Sequence, residues 1–213
     1  MPRTPEDTRA LFDRWAKTYD IGLASSKGDA LGPLAGYAES LREAASLVTV
    51  TDGLRVLDVG VGTGAFAALL AERGARIIGV DPSEAMLGAG RQRHPEFVYM
   101  NGTFIDIPLD DASVDVAVSS FAFHEVPTDE RVMACREIAR VVKAGGSICL
   151  LDIMFASRES RDAARAAIGS RWDDDEDYPL VGELDAVLRT AGFTNTFWRQ
   201  TAPCHWVAVA RRT

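Results

Sequence analysis

The chain has 213 residues, with 23 Lys+Arg against 31 Asp+Glu and a formal net charge of −8. At about 150 residues per domain, that length predicts a single domain over 1–213, and an acidic balance without a basic cluster argues against nucleic acid as a partner. No apolar run reaches the ~18 residues that cross a bilayer, and the charged, Pro-broken start lacks a secretory h-region, so a cytoplasmic location without a membrane partner is expected.

Residues 1–50 read as two or three helices, with Leu34, Tyr37, Leu41, Ala45 and Val48 along one face of the second. From about residue 54, short β-branched runs alternate with helical stretches. The clearest strands are 54–59, 75–80, 114–119 and 147–152, and helices are expected over 65–73, 83–92 and 128–143. Gly74 and Gly145-Gly146 are expected to end helices, and Pro82 to occupy a first turn. Near-continuous apolar strands between helices imply a parallel sheet covered on both faces, a doubly wound α/β fold. Residues 155–180 hold a polar, Ala/Arg-rich helix and an acidic run around Asp173–Asp177, expected to be a solvated loop. A helix over 183–190, stopped by Gly192, precedes two runs, 193–200 and 205–211, that read as a terminal hairpin. Cys135, Cys149 and Cys204 are far apart and never in CxxC spacing, which argues against both a disulfide framework and a zinc site.

The most informative segment is Asp58-Val-Gly60-Val-Gly62-Thr-Gly64, where a strand hands over to a helix. Such a turn presents backbone N–H groups and a positive helix end to a ligand, and glycine allows close approach. Asp81 ends the next strand, where a carboxylate can accept from both hydroxyls of a ribose; Asp81-Pro-Ser-Glu84 also spells a capping box, and the two roles can coexist. Gly60-x-Gly62-x-x-Ala65 formally matches a dinucleotide fingerprint. Asp58 two residues before the first glycine, and the tight GxGxG spacing, favour an amino-acid tail over a pyrophosphate.

Asp58-x-Gly60-x-Gly62-x-Gly64 resembles the first motif of the class I S-adenosylmethionine-dependent methyltransferases. In order behind it, Gly79-Val-Asp81-Pro-Ser resembles that family's ribose-binding segment, 101–108 its adenine loop, 113–120 its fourth strand and Arg140–Gly146 its "R-x-L-x-P-G-G" turn. Phe12-Asp-Arg-Trp15-Ala-Lys-Thr-Tyr19-Asp20 is similar to the opening of the small-molecule branch related to ubiquinone and menaquinone methyltransferases. Trp15/Tyr19, Phe121–His124 and Trp206 are shared with a subgroup of uncharacterised bacterial proteins. The family departs from this chain at Thr103, where it commonly has Asp, and at Ala144, where it has Pro.

The resemblance implies a Rossmann-like fold with a mostly parallel seven-stranded sheet, a C-terminal antiparallel hairpin and an N-terminal helical lid (1–50), with a core over 54–153, an insert over 155–180 and a C-terminal unit over 181–213. It implies S-adenosyl-L-methionine as cofactor and transfer of its methyl group to a small-molecule acceptor by a monomer or homodimer. Asp58 would order the glycine loop or reach the methionine amino group through water. Gly60, Val61 and Gly62 would meet the methionine tail, and Gly64 would let the helix pack. Asp81 and Pro82 would face the ribose, Met86 would cover the adenine, and Thr103 and Phe104 would read its edge. Ser119 would contact the amino group through its carbonyl, and Trp15 and Tyr19 would lie over the cofactor as a lid. His124, at a strand's carboxyl end, is a candidate general base or a residue ordering its loop. His205 is expected to be structural. A nicotinamide-dependent oxidoreductase and a non-catalytic binder of S-adenosylmethionine or S-adenosylhomocysteine remain the alternatives.

Overall fold

Residues 4–16 and 29–213 are described by a computed structural model. Five strands run parallel: β1 (Arg55–Val59), β2 (Arg76–Asp81), β3 (Val98–Asn101), β4 (Val114–Ser120) and β5 (Val142–Ile153). With β6 (Phe193–Ala202) and β7 (His205–Arg212) they form one seven-stranded sheet in the order β3-β2-β1-β4-β5-β7-β6. The hairpin is thus present at one edge, and its second strand is the inner one: β7 runs antiparallel to both β5 and β6. The central strands are apolar on both sides because each face is covered. Val56 and Val116 pack under α2 (Tyr37–Leu47) and α3 (Ala65–Ala71) through Leu41, Ala45, Phe66 and Leu70. On the other face, Leu57 and Ile148 meet Ile138 of α5 (Arg131–Val141) and Leu188 of α7 (Val181–Thr190). No helix among the described residues is long and apolar enough to cross a membrane.

Several local expectations change. Leu34 belongs to the 3-10 turn before α2 rather than to the helix itself. Gly145-Gly146 do not end a helix: α5 stops at Val141 and the chain is already extended from Val142. The pair instead marks the shift in register between Val114↔Val142 and Val116↔Ser147. β3 went unassigned in the sequence because it is a four-residue edge strand without a fully buried side chain. Pro82 lies outside α4 (Glu84–Arg93), whose N-cap is Ser83, accepting from the Met86 N–H. Asp81 is therefore not the cap.

α1 (Pro5–Trp15) begins with Thr4 in a capping box with Asp7. It is tied across the carboxyl ends of the strands at two points. The Thr8 hydroxyl donates to Glu125 at 3.0 Å, and the Ser83 hydroxyl donates to Asp13 at 2.5 Å. The acidic run is also more than a solvated loop. The peptide carbonyl and carboxylate of Asp177 are held by Arg131, Asp174 pairs with Arg165, and Glu176 is largely buried. Trp172 and Tyr178 pack on each other and on Phe155 behind α6 (Arg158–Ile168), so these aromatics are core rather than acceptor surface.

Candidate functional site

In an open parallel sheet, the crevice forms where neighbouring connections leave in opposite directions, here between β1 and β4. A cavity of about 570 Å³ occupies that position, within the range of small-ligand sites. Its floor is the loop after β1 (Gly60, Val61, Gly62) and the end of β4 (Ser120, Phe121, Ala122). One wall is Asp81, Pro82, Met86 and the Gly102–Ile105 loop. The roof carries Glu6, Thr8, Arg9 and Phe12 of α1, with Tyr37 beside them.

The glycine loop is shaped by three backbone bonds. Gly60 and Val61 N–H both donate to the Val80 carbonyl, at 2.8 and 3.1 Å, folding the chain back over β2. The Gly62 N–H donates to Asp81 Oδ2 at 2.9 Å, and the Ser83 N–H donates to Oδ1 at 2.9 Å. Asp81 thus fixes the loop to the strand beside it while each oxygen keeps lone-pair capacity. Burial pushes its carboxyl up to about 6, the two N–H donors pulling it back down and Asp13 adding repulsion.

Asp58 is buried below the loop, not on the cavity wall. Among the described residues its Oδ1 has no hydrogen-bond partner. Burial first, then the charge of Asp81, holds its carboxyl well above the ordinary carboxylate range, opposed by the Ala67 N–H. Gly64 caps α3 and faces His94 and Phe97. Pro82, Met86, Thr103 and Phe104 line the cavity, and Phe104 stands edge-on to Phe123. The loop that follows Thr103 and Phe104 is buttressed by Arg140, which donates to the carbonyls of Ile107 and Leu109 at 3.0 and 2.8 Å.

Two further sequence candidates, Ser119 and Trp15, stand off the cavity lining. Ser119 is buried in the ladder opposite Leu150, and its neighbour Ser120 lines the cavity instead. Trp15 is 43% exposed at the end of α1; Phe12, one turn earlier and 5.9 Å from it, is the aromatic that enters the cavity. Tyr19 lies outside the described residues. Phe12, Tyr37 and Phe121 carry no site signal in the sequence, yet Tyr37 and Phe121 pack with tilted rings, centroids 4.8 Å apart. Only tertiary packing brings these distant aromatics together.

His124 is behind the wall rather than on it. It belongs to a 3-10 turn (Phe123–Glu125) after β4. Its backbone N–H donates to Asp152 Oδ2 at 2.9 Å and its Nδ1–H to Asp152 Oδ1 at 2.6 Å. Nε2 lies 3.7 Å from Glu176 Oε2 and 3.9 Å from Glu125 Oε1. Burial alone would depress this imidazole, but Asp152, Glu176 and Glu125 outweigh it and lift it to about 10.

His205 has the opposite environment. The Pro33 carbonyl can only accept, so Nε2–H donates to it at 2.8 Å, and Nδ1 accepts from the Ser40 hydroxyl at 2.9 Å. Thr201 completes the chain by donating to Ser40 Oγ at 2.8 Å. Burial keeps the ring neutral and pulls it down to about 4. It is structural, and it braces Phe121 edge-on at 4.7 Å.

Residues 57–150 match the family described as "Methyltransferase domain". The chain is 31% identical over 198 residues to an uncharacterized methyltransferase of Bacillus licheniformis, covering 88% of this chain and 90% of that one. It is 29% identical over 210 residues to another from Bacillus pumilus, covering 95% and 96%. Among solved structures, a SAM-dependent methyltransferase from Thermotoga maritima is similar with a TM-score of 0.72, 23% identity and coverage of 96% and 99%.

Proposed function

The chain belongs to the S-adenosylmethionine-dependent methyltransferases, and from that premise we propose that the cavity beneath α1 is where S-adenosylmethionine meets a small-molecule acceptor. The observation carrying this reading is the Asp81–Gly62 bond at 2.9 Å. It holds a carboxylate with spare lone pairs beside a glycine whose missing side chain leaves open space. That cradle fits a ribose next to an amino-acid tail.

Gly60, Val61 and Gly62 would receive the methionine tail, Asp81 and Pro82 the ribose, and Met86, Thr103 and Phe104 the adenine. The amino-group contact expected of Ser119 passes to Ser120. When bound, the cofactor supplies an activated methyl on its sulfonium. What remains for the protein is positioning and the exclusion of water, and orientation can contribute ~7–11 kcal/mol. α1 acts as the lid, through Phe12 rather than Trp15. Asp58 acts from below the loop, fixing its shape.

His124 is not assigned the role of general base. A base must reach the proton it takes, and Nε2, on a ring that does not line the cavity, faces the carboxylates of Glu125 and Glu176. For the acceptor, Phe12, Tyr37 and Phe121 provide aromatic surface, and Glu6, Glu125 and Glu130 outnumber Arg9 among the charged lining groups. That balance suits a small, largely apolar molecule that is neutral or cationic. The nicotinamide alternative is set aside with the family assignment.

The test is calorimetry with S-adenosylhomocysteine on the wild type and Asp81→Asn, followed by an acceptor screen read by S-adenosylhomocysteine release. Binding that weakens in Asp81→Asn, with NAD silent, supports the reading. Equal affinities in the two proteins would overturn it.

A further inference from the structure

A second constellation lies behind the cavity wall. His124 Nε2, Glu125 Oε1 and Glu176 Oε2 converge from the turn after β4 and from the acidic loop after α6, with all three ligand atoms within 4.8 Å of one another. The side chains are 6%, 13% and 16% exposed, so this is no solvated acidic patch. Asp152, fully buried, accepts the Nδ1–H at 2.6 Å and thereby fixes the ring so that Nε2 points at the two carboxylates. A carboxylate on the far nitrogen is the arrangement that orients a metal-ligating imidazole and raises its basicity.

From this geometry we propose that His124, Glu125 and Glu176 form a site for a divalent transition-metal cation, held in orientation by Asp152. One imidazole and two carboxylates make a borderline N/O donor set, suited to zinc or manganese rather than to a soft thiophilic ion. Three protein ligands leave room for water, as in open sites.

Charge supports the assignment. The carboxylates of Asp152, Glu125 and Glu176 surround one imidazole, an environment that attracts a cation. The guanidinium of Arg131 interacts with Asp152 from nearby but gives its hydrogen bonds to the carbonyls of Val126 and Asp177, not to Glu125 or Glu176. The carboxylates have other partners that hold them in place: Glu125 accepts from Thr8 of α1 and Glu176 from the Tyr178 hydroxyl. Glu125 also lines the cavity, so the ion would adjoin the site and steady the contact that docks α1. The sequence conceals all this, because its ligands are separated by 176 − 125 = 51 residues and follow no spacing rule.

The experiment is calorimetry on the chelator-treated full chain with Zn²⁺, Mn²⁺ and Mg²⁺ salts, repeated in buffers of different ionisation enthalpy. One-to-one binding with Zn²⁺ tighter than Mn²⁺, Mg²⁺ silent, and about one proton released as Nε2 takes the ion, is the expected result. Glu176→Gln, a loop substitution of nearly unchanged size, should weaken Zn²⁺ binding at least tenfold, with circular dichroism unchanged. His124→Gln should abolish it. Absence of saturable binding of Zn²⁺ and Mn²⁺ to the wild type would overturn the proposal. So would Zn²⁺ affinity unaltered in Glu176→Gln, which decides the matter even if His124→Gln fails to fold. S-adenosylhomocysteine titrated into the same samples reads the cofactor cavity separately, so the two proposals can fail independently.

Discussion

Two glycines two residues apart should respond differently to the same substitution. Both have positive φ, +74° at Gly60 and +51° at Gly62, so alanine at either costs about 1–2 kcal/mol of left-handed strain. At Gly62, an added Cβ meets no heavy atom of the described residues within 4 Å, and the stability loss ends there. At Gly60, the new Cβ would lie 2.4 Å from Ala122 Cβ, far inside the ~3.5–4.0 Å optimum for carbon pairs. Relieving that overlap displaces either the turn after β4 or the two N–H bonds to Val80, an overpacking cost of roughly 1–3 kcal/mol more. Gly60→Ala should therefore lose about 2–5 kcal/mol and Gly62→Ala about 1–2. At ~2–4 °C per kcal/mol for a domain of this size, thermal unfolding resolves the difference. Ligand affinity should follow a different pattern. Gly62→Ala keeps its fold yet puts a methyl into the cavity beside Asp81, so S-adenosylhomocysteine binding should fall at least tenfold by calorimetry. Equal melting temperatures for the two variants, or wild-type affinity in Gly62→Ala, would refute the reasoning.

Asp81→Asn replaces one accepting oxygen by an amide nitrogen facing an N–H, and should cost ~1–3 kcal/mol of S-adenosylhomocysteine affinity by calorimetry. In the wild type, Asp81 titrates near 6, and the ionised form is the better acceptor for ribose hydroxyls; affinity should fall as pH drops through that value. His205 is depressed from 6.5 to about 4 in the fold, so its neutral form contributes stability above pH 6.5 that is lost as pH falls toward 4. The difference of 6.5 − 4 = 2.5 at 1.36 kcal/mol each gives about 3 kcal/mol. Denaturant unfolding should show that much less acid sensitivity in His205→Gln, which does not titrate. Phe12→Ala should weaken S-adenosylhomocysteine binding while Trp15→Ala should not, since only Phe12 lines the cavity; the opposite order would return the lid role to Trp15.

The sequence by itself determined the fold class and the floor of the site. Alternating β-branched and helical runs must build a covered parallel sheet, and Asp58–Gly64 with Asp81 are local enough, at the end of adjacent strands, to be read from spacing alone. Ser119 missed by one position, because periodicity does not reveal where a strand's last ladder bond falls. The terminal hairpin was legible, but which of its strands joins the core was not: that depends on β7 finding β5, a pairing between segments more than 50 residues apart.

Tertiary structure alone decided the rest. Trp15 and Phe12 are equally plausible on a helix until the helix is docked, and the Thr8–Glu125 and Ser83–Asp13 bonds set its rotation. The aromatics at 172 and 178 turned inward because Phe155 offers them a surface to bury. His124 at a strand's carboxyl end reads as either a base or a loop-ordering residue, and only folding sets Asp152 and Glu176, from elements distant in the chain, against its ring. The physical reason is common to all three: backbone periodicity is short-range and written in the chain, whereas burial and electrostatic environment are set by neighbours that only folding brings together.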